Sequence, residues 1–388
     1  MRIFCRCSLS LFNKLFLIVS MPVSFSYQFD DSPRAVPSFG EQMPFANPLF
    51  GILAAIREEG SIAQAAERLG LSYRYVWGYL KKQEEDLGQK LLASTQGASA
   101  RLSDFGERLL WSERRVLARM APAAEDMANK LDNELRLAAH PTLVPLRIAA
   151  SHDLLFGALR EQLIQQGSLL LDVDYVESVG ALEQLNAGAC LLAGIHFPID
   201  LPHLCQRGSG VHAQLGRQLR LGDHKLIRMA AREQGLIVPA GNPLDLYDVF
   251  DLVRPDINFV NRQAGSGTRI LLDELLRFNQ IEQQEITGYQ TEEPTHLAVA
   301  ATIAAGVANC GFGLRAAAEQ FGLGFVPMLW EHYFVVCRKH DLDSPLVQAV
   351  IEALEAPDFR ELVANVPGYS VAESGQIISL RRTLPWYK

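Results

Sequence analysis

GSIAQAAERLGLSYRYVWGYLKKQEEDLG, residues 60–88, contains two helical patterns separated by a glycine turn. The first pattern carries the small residues Ala65 and Ala66 on its apolar face, and Gly70 ends it. Ser72 is then placed to cap the second helix. Two short helices that cross closely around a turn of three or four residues are typical of the helix-turn-helix, whose second helix enters the major groove of DNA. The stretch therefore predicts such a unit.

The segments on either side predict a winged form of this unit. Before it, Asn47 and Pro48 suit the cap and the first position of another helix. After it, KLLASTQGASARL (90–102) has the pattern of a strand, a small polar turn and a short strand, and Ser103 can cap the next helix. We therefore predict a winged helix-turn-helix domain over residues 46–103.

Side chains of the second helix that do not pack into the core of the domain are available to contact DNA. Residues 46–110 hold eight basic and eight acidic residues, so affinity would depend on a few basic groups and on two copies acting together. A small helical bundle without DNA function is the alternative. The candidates for phosphate and base contacts are Ser72, Tyr73, Arg74, Tyr75, Tyr79, Lys81, Lys82 and, from the wing, Arg101.

A long helical pattern follows over residues 104–140. Its length and apolar side chains suit a linker helix that pairs with the same helix of a second copy, which would place two reading helices about one DNA turn apart. A helix packed only against its own chain is the alternative. Pro122 is expected to kink or break the helix. HPTLVP (140–145) is typical of a hinge into the next domain.

Residues 1–45 differ from the rest of the chain. MRIFCRCSLSLFNKLFLIVS has basic residues before a short apolar run, as a signal peptide has, but the run is too short to span a bilayer and lacks a clean cleavage site. Met21 is an alternative start. We expect an upstream extension or a disordered tail, and an export signal is the alternative.

From residue 146 the pattern changes to alternating strands and helices. LRIAA (146–150), LLLDVDYV (169–176) and CLLAGIHF (190–197) are apolar enough for buried strands, and helical patterns separate them. This order predicts a parallel α/β domain. Ligands of such domains bind at the carboxyl ends of strands, beside the amide groups of the next helix.

Polar side chains follow several of these strands, and we expect them to form one anion site. In NRQAGSGTR (261–269) the glycines let the backbone approach a ligand, and either arginine can donate forked hydrogen bonds to an oxyanion. Capping by Ser266 or Thr268 alone is an alternative, and each histidine by itself is more typical of a structural residue. The candidates are Ser151, His152, Ser178, Arg262, Ser266, Gly267, Thr268, Arg269 and His296, with His196 at a further strand end.

Two resemblances follow from these motifs. GSIAQAAERLGLSYRYVWGYLKKQEEDLGQKLL, with its wing, resembles the winged helix of LysR-type and molybdate-responsive (ModE-type) bacterial regulators. Residues 146–375, with NRQAGSGTR as their most specific motif, resemble the periplasmic-binding-protein-like domain of type II solute-binding proteins, including those for molybdate and tungstate. The second resemblance implies two lobes, the second over about 240–326, with the ligand between them. It implies binding turns at Ser151, Ser178, Arg262, Ser266, Gly267 and Thr268.

One position departs from that second resemblance. Asn309 and Cys310 stand where an acidic residue is usual before the glycine in the family. The resemblance therefore leaves the exact ligand open among molybdate, tungstate, sulfate and small carboxylates.

Composition and absent motifs narrow the function classes. A chain of 388 residues with 48% hydrophobic residues has room for several globular domains, and a net charge of −8 argues against a broadly basic surface. The six cysteines form no CxxC pair and no zinc-finger spacing. The sequence lacks the GxxxxGK[ST], GxSxG and HExxH motifs. We therefore expect no enzymatic activity, no cofactor and no bare metal cation.

These patterns together predict a multidomain protein with an α-rich winged helix-turn-helix, a linker helix and a two-lobed α/β domain. We expect a cytoplasmic, dimeric transcriptional regulator that binds double-stranded DNA and a small anionic effector, with a molybdate- or tungstate-like oxyanion favoured and no membrane contact. An exported solute-binding protein of an anion transporter is the alternative, because it would need the same cleft and a signal peptide. The winged helix favours the regulator, since an exported protein cannot read a promoter.

Overall fold

The structure, a computed structural model, describes residues 28–29, 45–93, 99–140, 142–165, 169–198 and 201–387. The chain divides into two compact units, residues 1–113 and residues 114–388. Most of the predicted N-terminal extension and the predicted turn of the wing lie outside the described residues. The short strands β1 (Gln28–Phe29) and β2 (Phe45–Ala46) form an antiparallel pair at the front of the first unit.

Three short helices build the first unit. They are α1 (Pro48–Glu59), α2 (Ile62–Arg68) and α3 (Tyr73–Leu87). Asn47 and Ser72 cap α1 and α3 as predicted, because each side chain accepts a hydrogen bond from a backbone N–H of the first turn. The apolar faces of the three helices enclose one core, in which Ala65 and Ala66 of α2 pack with Val76 of α3. The predicted helix-turn-helix is confirmed.

A short wing follows α3. Leu92 and Leu102 form a single antiparallel bridge across it, where a strand pair was predicted. Ser103 Oγ accepts a hydrogen bond from Gly106 N at 3.0 Å and so caps the next helix, as predicted. The wing is therefore pinned at its base, beside the start of the linker.

The linker is one continuous helix, α4 (Asp104–Ala139), with Pro122 inside it. The sequence predicted a kink or a break at Pro122, and the helix does not break there. Proline lacks the N–H that would bond to the carbonyl four residues earlier, which belongs to Ala118. That carbonyl accepts a hydrogen bond from Thr295 Oγ1 at 3.0 Å instead, so the helix continues with its backbone satisfied. The two units divide after Glu113, inside α4 and not at its predicted start.

The rest of the second unit alternates strands and helices around one sheet. Its elements are β3 (Val144–Ala150), α5 (Leu155–Gln165), β4 (Leu169–Tyr175), α6 (Ser178–Ala187), β5 (Leu192–Phe197), α7 (Gly210–Leu215), β6 (His224–Val238), β7 (Phe259–Arg262), α8 (Gly267–Phe278), β8 (Glu292–Glu293), α9 (His296–Ala304), β9 (Cys310–Leu314), α10 (Arg315–Gln320), β10 (Gly324–Arg338), α11 (Pro345–Glu355), α12 (Pro357–Ala364), β11 (Tyr369–Ser370), β12 (Ile377–Ser379) and α13 (Leu380–Thr383). Short 3₁₀ segments lie at Pro202–Cys205, Val249–Val253, Gln283–Glu285, Lys339–Asp341 and Pro385–Tyr387. The strand order is β4-β3-β5-β10-β6-β9-β7-β8, and β11 and β12 also pair with β6.

Two long strands, β6 and β10, join the two lobes of this unit. They pair antiparallel from Gly324–Val238 at one end to Arg338–His224 at the other. The first lobe contains β3, β4 and β5 beside one half of this pair, and the second contains β7, β8 and β9 beside the other half. The predicted parallel α/β pattern is confirmed within each lobe. The chain passes from the first lobe to the second within β6 and returns within β10. The second lobe therefore begins before residue 240, the approximate boundary predicted from the sequence.

Helices cover both faces of the sheet in each lobe. In the first lobe α5, α11 and α12 enclose one core and α6, α7 and α13 enclose another. In the second lobe α8 covers one face and α9 and α10 cover the other. Sheets buried on both faces need apolar strands, which is why these strands read as near-continuous apolar runs.

Candidate functional site

Three polar residues of the central strands are almost completely buried. Arg232 and Gln234 lie in β6 and Glu331 in β10, and at most 1% of each is exposed. Arg232 and Glu331 are partners across the strand pair, and Arg232 Nε donates to Glu331 Oε1 at 2.5 Å. Arg232 Nη1 also donates to Asp153, which follows β3. This buried cation is neutralised within the protein, as a buried charge must be.

Glu331 is the centre of a network that reaches both lobes. Its second oxygen lies 2.9 Å from His196 Nδ1 in the first lobe. Gln234 Nε2 donates to Glu331 and, at 3.3 Å, to Thr268 Oγ1 in the second lobe. Burial by itself raises the pKa of Glu331, but the Arg232 guanidinium and His196 outweigh it and lower the pKa to about 2. The carboxylate is therefore ionised.

Arg262, at the end of β7, has a different environment. Among the described residues it forms no ion pair, and its Nε has no hydrogen-bond partner. Burial lowers its pKa to about 10; the charge of Arg232 acts in the same direction, and Glu177 and Glu331 oppose it. A desolvated guanidinium without a counter-ion is costly. An anion between the lobes would supply that counter-charge through charge-assisted hydrogen bonds.

Other polar atoms near Arg262 lack partners as well. Ser178 Oγ, Gln234 Oε1 and His296 Nδ1 are buried without a hydrogen bond in the part of the chain that the structure describes. Burial, followed by the charge of Arg262, lowers the pKa of His296 well below its ordinary value, so the ring is neutral. Its Nε2 lies 3.5 Å from Thr268 Oγ1. These groups leave hydrogen-bonding capacity open for a ligand.

The turn before α8 brings the two lobes together. Ser266 Oγ accepts a hydrogen bond from a backbone N–H of the first turn and so caps α8. A Cβ at Gly267 would collide with the His196 ring of the first lobe, so a glycine is needed for this approach. Gln263 Nε2 donates to Glu177 Oε1 at 3.0 Å, which holds the start of α6 against the same turn. The amide groups at the start of α8 therefore lie at the cleft.

A small cavity lies at this contact. Its volume is about 20 Å³, and its lining includes Ser178, His196, Gly267 and Glu331. A cavity of that size holds roughly one water molecule. A larger ligand therefore does not fit this cavity, whose lining does not include Arg262.

Arg269 does not share the environment of Arg262, although both were predicted in the anion site. Its Nη1 donates to Glu292 at 3.3 Å, and its Nε donates to the Tyr289 hydroxyl at 3.2 Å and lies 3.3 Å from Asp273. Its guanidinium also stacks 4.0 Å from the Tyr289 ring centroid. These partners balance the charge of Arg269 within the second lobe.

The two residues after β3 also have partners of their own. The Tyr333 hydroxyl donates to the carbonyl of Ser151 at 2.7 Å and lies 3.2 Å from its Oγ. His152 Nε2 lies 3.4 Å from Glu125 of α4. The predicted ligand residues that the structure gathers at the cleft are Ser178, Arg262, Gly267, Thr268 and His296.

Sequence analysis missed the network of Arg232, Gln234 and Glu331. The signal was present, because AAREQGLIV (230–238) and MLWEHYFVV (328–336) place charged side chains inside long apolar runs. A charged residue in such a strand is buried and needs a partner. The identity of that partner depends on register, which the sequence alone does not provide.

A candidate nucleic-acid interface lies on α3 in the first unit. Tyr73, Tyr75 and Trp77 are exposed by 53%, 51% and 46%. Lys81 Nζ lies 5.2 Å from the Trp77 ring centroid. Aromatic and cationic side chains grouped on one exposed helix suit phosphates and base edges. Trp77 was not among the predicted residues. Those that the structure leaves exposed are Ser72, Tyr73, Arg74, Tyr75, Lys81, Lys82 and Arg101.

Tyr79 and Ser72 of this helix are engaged within the domain. Tyr79 is half-buried and stacks on Tyr75 with the ring centroids 6.0 Å apart. Ser72 Oγ accepts a hydrogen bond from Tyr75 N at 3.2 Å, so it serves as the helix cap. The groups on α3 that remain available to a nucleic acid are therefore mainly its cations and the aromatic rings that do not stack within the domain.

The described ranges contain neither a candidate metal site nor a candidate membrane-spanning helix. No group of three or more His, Cys, Asp or Glu side chains there is arranged to hold a metal ion. No helix within those ranges is both long and apolar enough to cross a membrane.

Comparison with protein families assigns both parts of the chain. Residues 160–355, half of the chain, match the model of the PBP superfamily domain, and the chain belongs to that superfamily. Residues 49–107 match the model of bacterial regulatory helix-turn-helix proteins of the lysR family. The chain therefore combines a LysR-type helix-turn-helix with a periplasmic-binding-protein-like domain, as the sequence predicted.

Two curated relatives have names that describe no function. The chain is 30% identical over 204 residues to the uncharacterized protein YvgK of Bacillus subtilis (strain 168), a match that covers 53% of this chain and 64% of that protein. It is 33% identical over 115 residues to an uncharacterized protein in the ferredoxin 2Fe-2S gene 5′ region of Clostridium pasteurianum, covering 28% of this chain and 98% of that protein. The chain thus spans less than two thirds of the first relative.

Solved structures give distant matches. An OxyR mutant of Corynebacterium glutamicum is 16% identical with a TM-score of 0.41, covering 82% of this chain and 93% of its own. CbnR, a LysR family transcriptional regulator, is 17% identical with a TM-score of 0.38, covering 79% and 98%. Full-length BenM is 16% identical with a TM-score of 0.39, covering 82% and 96%.

Proposed function

We propose that this chain is a ligand-responsive transcriptional regulator that binds double-stranded DNA through α3 and a small anion between its two lobes. The observation that carries the ligand half is Arg262, a desolvated guanidinium without an ion-pair partner among the described residues. Nearby, Ser178, His196 and Gly267 line the cavity between the lobes, and His296 lacks one hydrogen-bond partner. Such a site favours a ligand that brings negative charge and accepts hydrogen bonds.

The class of anion follows from the chemistry of these groups. One arginine, hydroxyl groups and helix amide groups suit any small oxyanion. The resemblance of NRQAGSGTR to molybdate- and tungstate-binding proteins makes these two oxyanions the favoured effectors, ahead of sulfate and small carboxylates. Because the protein would read a promoter, we place it in the cytoplasm.

A second copy of the chain is the expected partner of α4. Five large apolar residues of this helix are exposed by 46–71%, and their spacing places them on one face: Val116, Met120, Met127, Leu131 and Leu135. An exposed apolar stripe of this length is typical of a protein interface. A homodimer would also supply the second reading helix that a domain without net positive charge needs.

The ligand half is tested by thermal unfolding and calorimetry of the full chain with sodium molybdate, tungstate, sulfate and acetate. At least one anion should raise Tm, and Arg262→Gln should remove that rise. Arg254→Gln is the matched control, because Arg254 is partly exposed and pairs with Asp256; it should keep the rise. If none of the four anions changes Tm or releases heat, the anion site is wrong.

The DNA half is tested by mobility shift with fragments from beside the chain's own gene. The wild type should retard at least one fragment, and retardation should weaken steeply with salt. A protein that retards no fragment more than it retards random DNA would contradict the proposal. Native mass spectrometry on the same sample would report dimer or monomer.

A further inference from the structure

Helix α4 is fastened to the second lobe through one buried carboxylate. Arg119 Nε and Nη2 donate to the two oxygens of Glu293 at 2.6 and 2.8 Å, and Arg115 Nε lies 3.9 Å away. Glu293 is 1% exposed and also accepts from Thr302 Oγ1 at 2.7 Å. Arg119 itself is exposed, and its forked pair with this buried carboxylate fixes geometry as well as charge. The first half of the linker therefore moves with the strand that carries Glu293.

That strand is the neighbour of the candidate ligand cation. In the parallel pair of β7 and β8, Glu293 is the register partner of Arg262. Gln263 N donates to the carbonyl of Glu293 at 3.1 Å. The backbone pairing of β7 and β8 thus connects Arg262, the candidate anion ligand, to Glu293, which binds the linker helix.

A second fastening uses the proline of the linker. Pro122 leaves the carbonyl of Ala118 without an intrahelical donor, and Thr295 Oγ1 donates to it at 3.0 Å. The same hydroxyl accepts from Ala298 N at 2.9 Å and so caps α9, whose first residue is His296 at the cleft. The linker is therefore bound to the second lobe at β8 and at the start of α9. Glu293 of β8 pairs with the cleft residue Arg262 across the strands, and Thr295 directly precedes the cleft residue His296.

The second half of the linker is fastened to the first lobe. Glu125 lies 3.4 Å from His152, which follows Ser151 after β3. Further along, Arg160 Nη2 donates to Asp132 at 2.6 Å, and Asn133 Nδ2 donates to the carbonyl of Leu171 at 3.0 Å. Pro122 lies between the two sets of anchors.

We infer that α4 is a strap across both lobes, jointed at Pro122, and that Glu293 and Thr295 transmit the state of the cleft to it. The lobes cannot move without changing one set of anchors or the bend between them. A helix without a bond at Pro122 bends there at least cost. The regulatory part of this inference rests on the proposed function, while the strap itself does not.

Hydrogen exchange without added anion tests the strap. Glu293→Gln keeps the volume of the side chain but removes the charge that Arg119 needs, so exchange should rise severalfold over residues 114–121 and stay unchanged over residues 125–135. Thr295→Val should act in the same way, and Thr295→Ser should not. Lys130→Gln breaks only the exposed pair with Asp126 and is the matched control. Unchanged exchange over 114–121 in both uncoupling variants would overturn the strap.

DNA affinity measured with and without sodium molybdate tests the transmission. In the wild type the anion should change both Tm and DNA affinity. In Glu293→Gln the rise in Tm should persist while the change in DNA affinity is lost, and Pro122→Ala should reduce that change without unfolding the helix. A full change of DNA affinity in both variants refutes the transmission. A wild type whose Tm does not respond to molybdate refutes the favoured ligand, and the exchange result then still decides the strap.

Discussion

The cleft and the face of α3 both present cations, but in opposite surroundings. In the cleft, Arg232 is 1% exposed and paired with two carboxylates, whereas Arg262 is desolvated and has no acidic partner in the described residues. On α3, Arg74 and Lys81 are exposed to solvent. Water screens the charges on α3, but it does not screen those in the cleft.

This difference separates three roles for the same kind of side chain. A buried cation with buried counter-ions stabilises the fold, and a partly buried cation without one carries a desolvation cost that an anion can relieve. An exposed cation is not desolvated when the protein folds, and it is available to a polyanion such as DNA. Each role predicts a different response to removal of the charge.

The largest effect is expected at Arg232. Arg232→Met leaves Asp153 and Glu331 buried without their cation, and breaking a buried pair in this way costs about 3–5 kcal/mol. Urea unfolding of the second unit should show a loss of that order. Lys130→Met, which removes the exposed partner of Asp126, should cost less than about 1 kcal/mol. If the free energy of unfolding fell equally in the two variants, buried and exposed ion pairs would not differ in their contribution to stability.

A change at Arg262 should affect binding and leave folding intact. Arg262→Gln removes a charge that has no counter-ion, so the free energy of unfolding should stay the same or rise. The affinity for the anion should fall roughly tenfold to a hundredfold, because a hydrogen bond to a charged group contributes about 1.5–3 kcal/mol. Calorimetry and urea unfolding of one preparation give both values. A variant that loses stability while keeping affinity would assign Arg262 to the structure instead.

The sequence predicted the two arginines of NRQAGSGTR but not the difference between them. Helix caps at Asn47 and Ser72, the glycine turn and the alternating strands depend on near neighbours in sequence, and these predictions were confirmed. The partners of Arg269 come from a loop and a strand about twenty residues further on, and Arg232 meets Glu331 across ninety-nine positions. Such pairings depend on strand register, which a single sequence does not fix. The continuity of α4 at Pro122 likewise depends on a hydroxyl from a distant loop.

The pH dependence of stability should report the neutral histidine of the cleft. The folded-state pKa of His296 lies well below its ordinary value of 6.5, so below pH 6.5 the unfolded chain takes up a proton that the folded chain does not. Stability should therefore fall as the pH falls from 7.5 to 5.5, by roughly 1 kcal/mol from this residue. The difference between the wild type and His296→Gln, without added anion, isolates this contribution. A difference independent of pH would mean that His296 titrates normally.

The smallest effect on folding is expected on α3. Arg74→Gln and Lys81→Gln remove exposed charges, so the free energy of unfolding should change by less than about 0.5 kcal/mol. Each should nevertheless weaken DNA binding and lower the slope of affinity against salt by about one, because one phosphate contact is lost. Arg68→Gln is the matched control: Arg68 is equally exposed but already pairs with Glu58 and Glu59, so the salt slope should not change. If Arg68→Gln lowered the salt slope as much as Arg74→Gln, an acidic partner would not distinguish structural cations from DNA-contacting ones. The role assigned above to exposed cations on α3 would then be wrong.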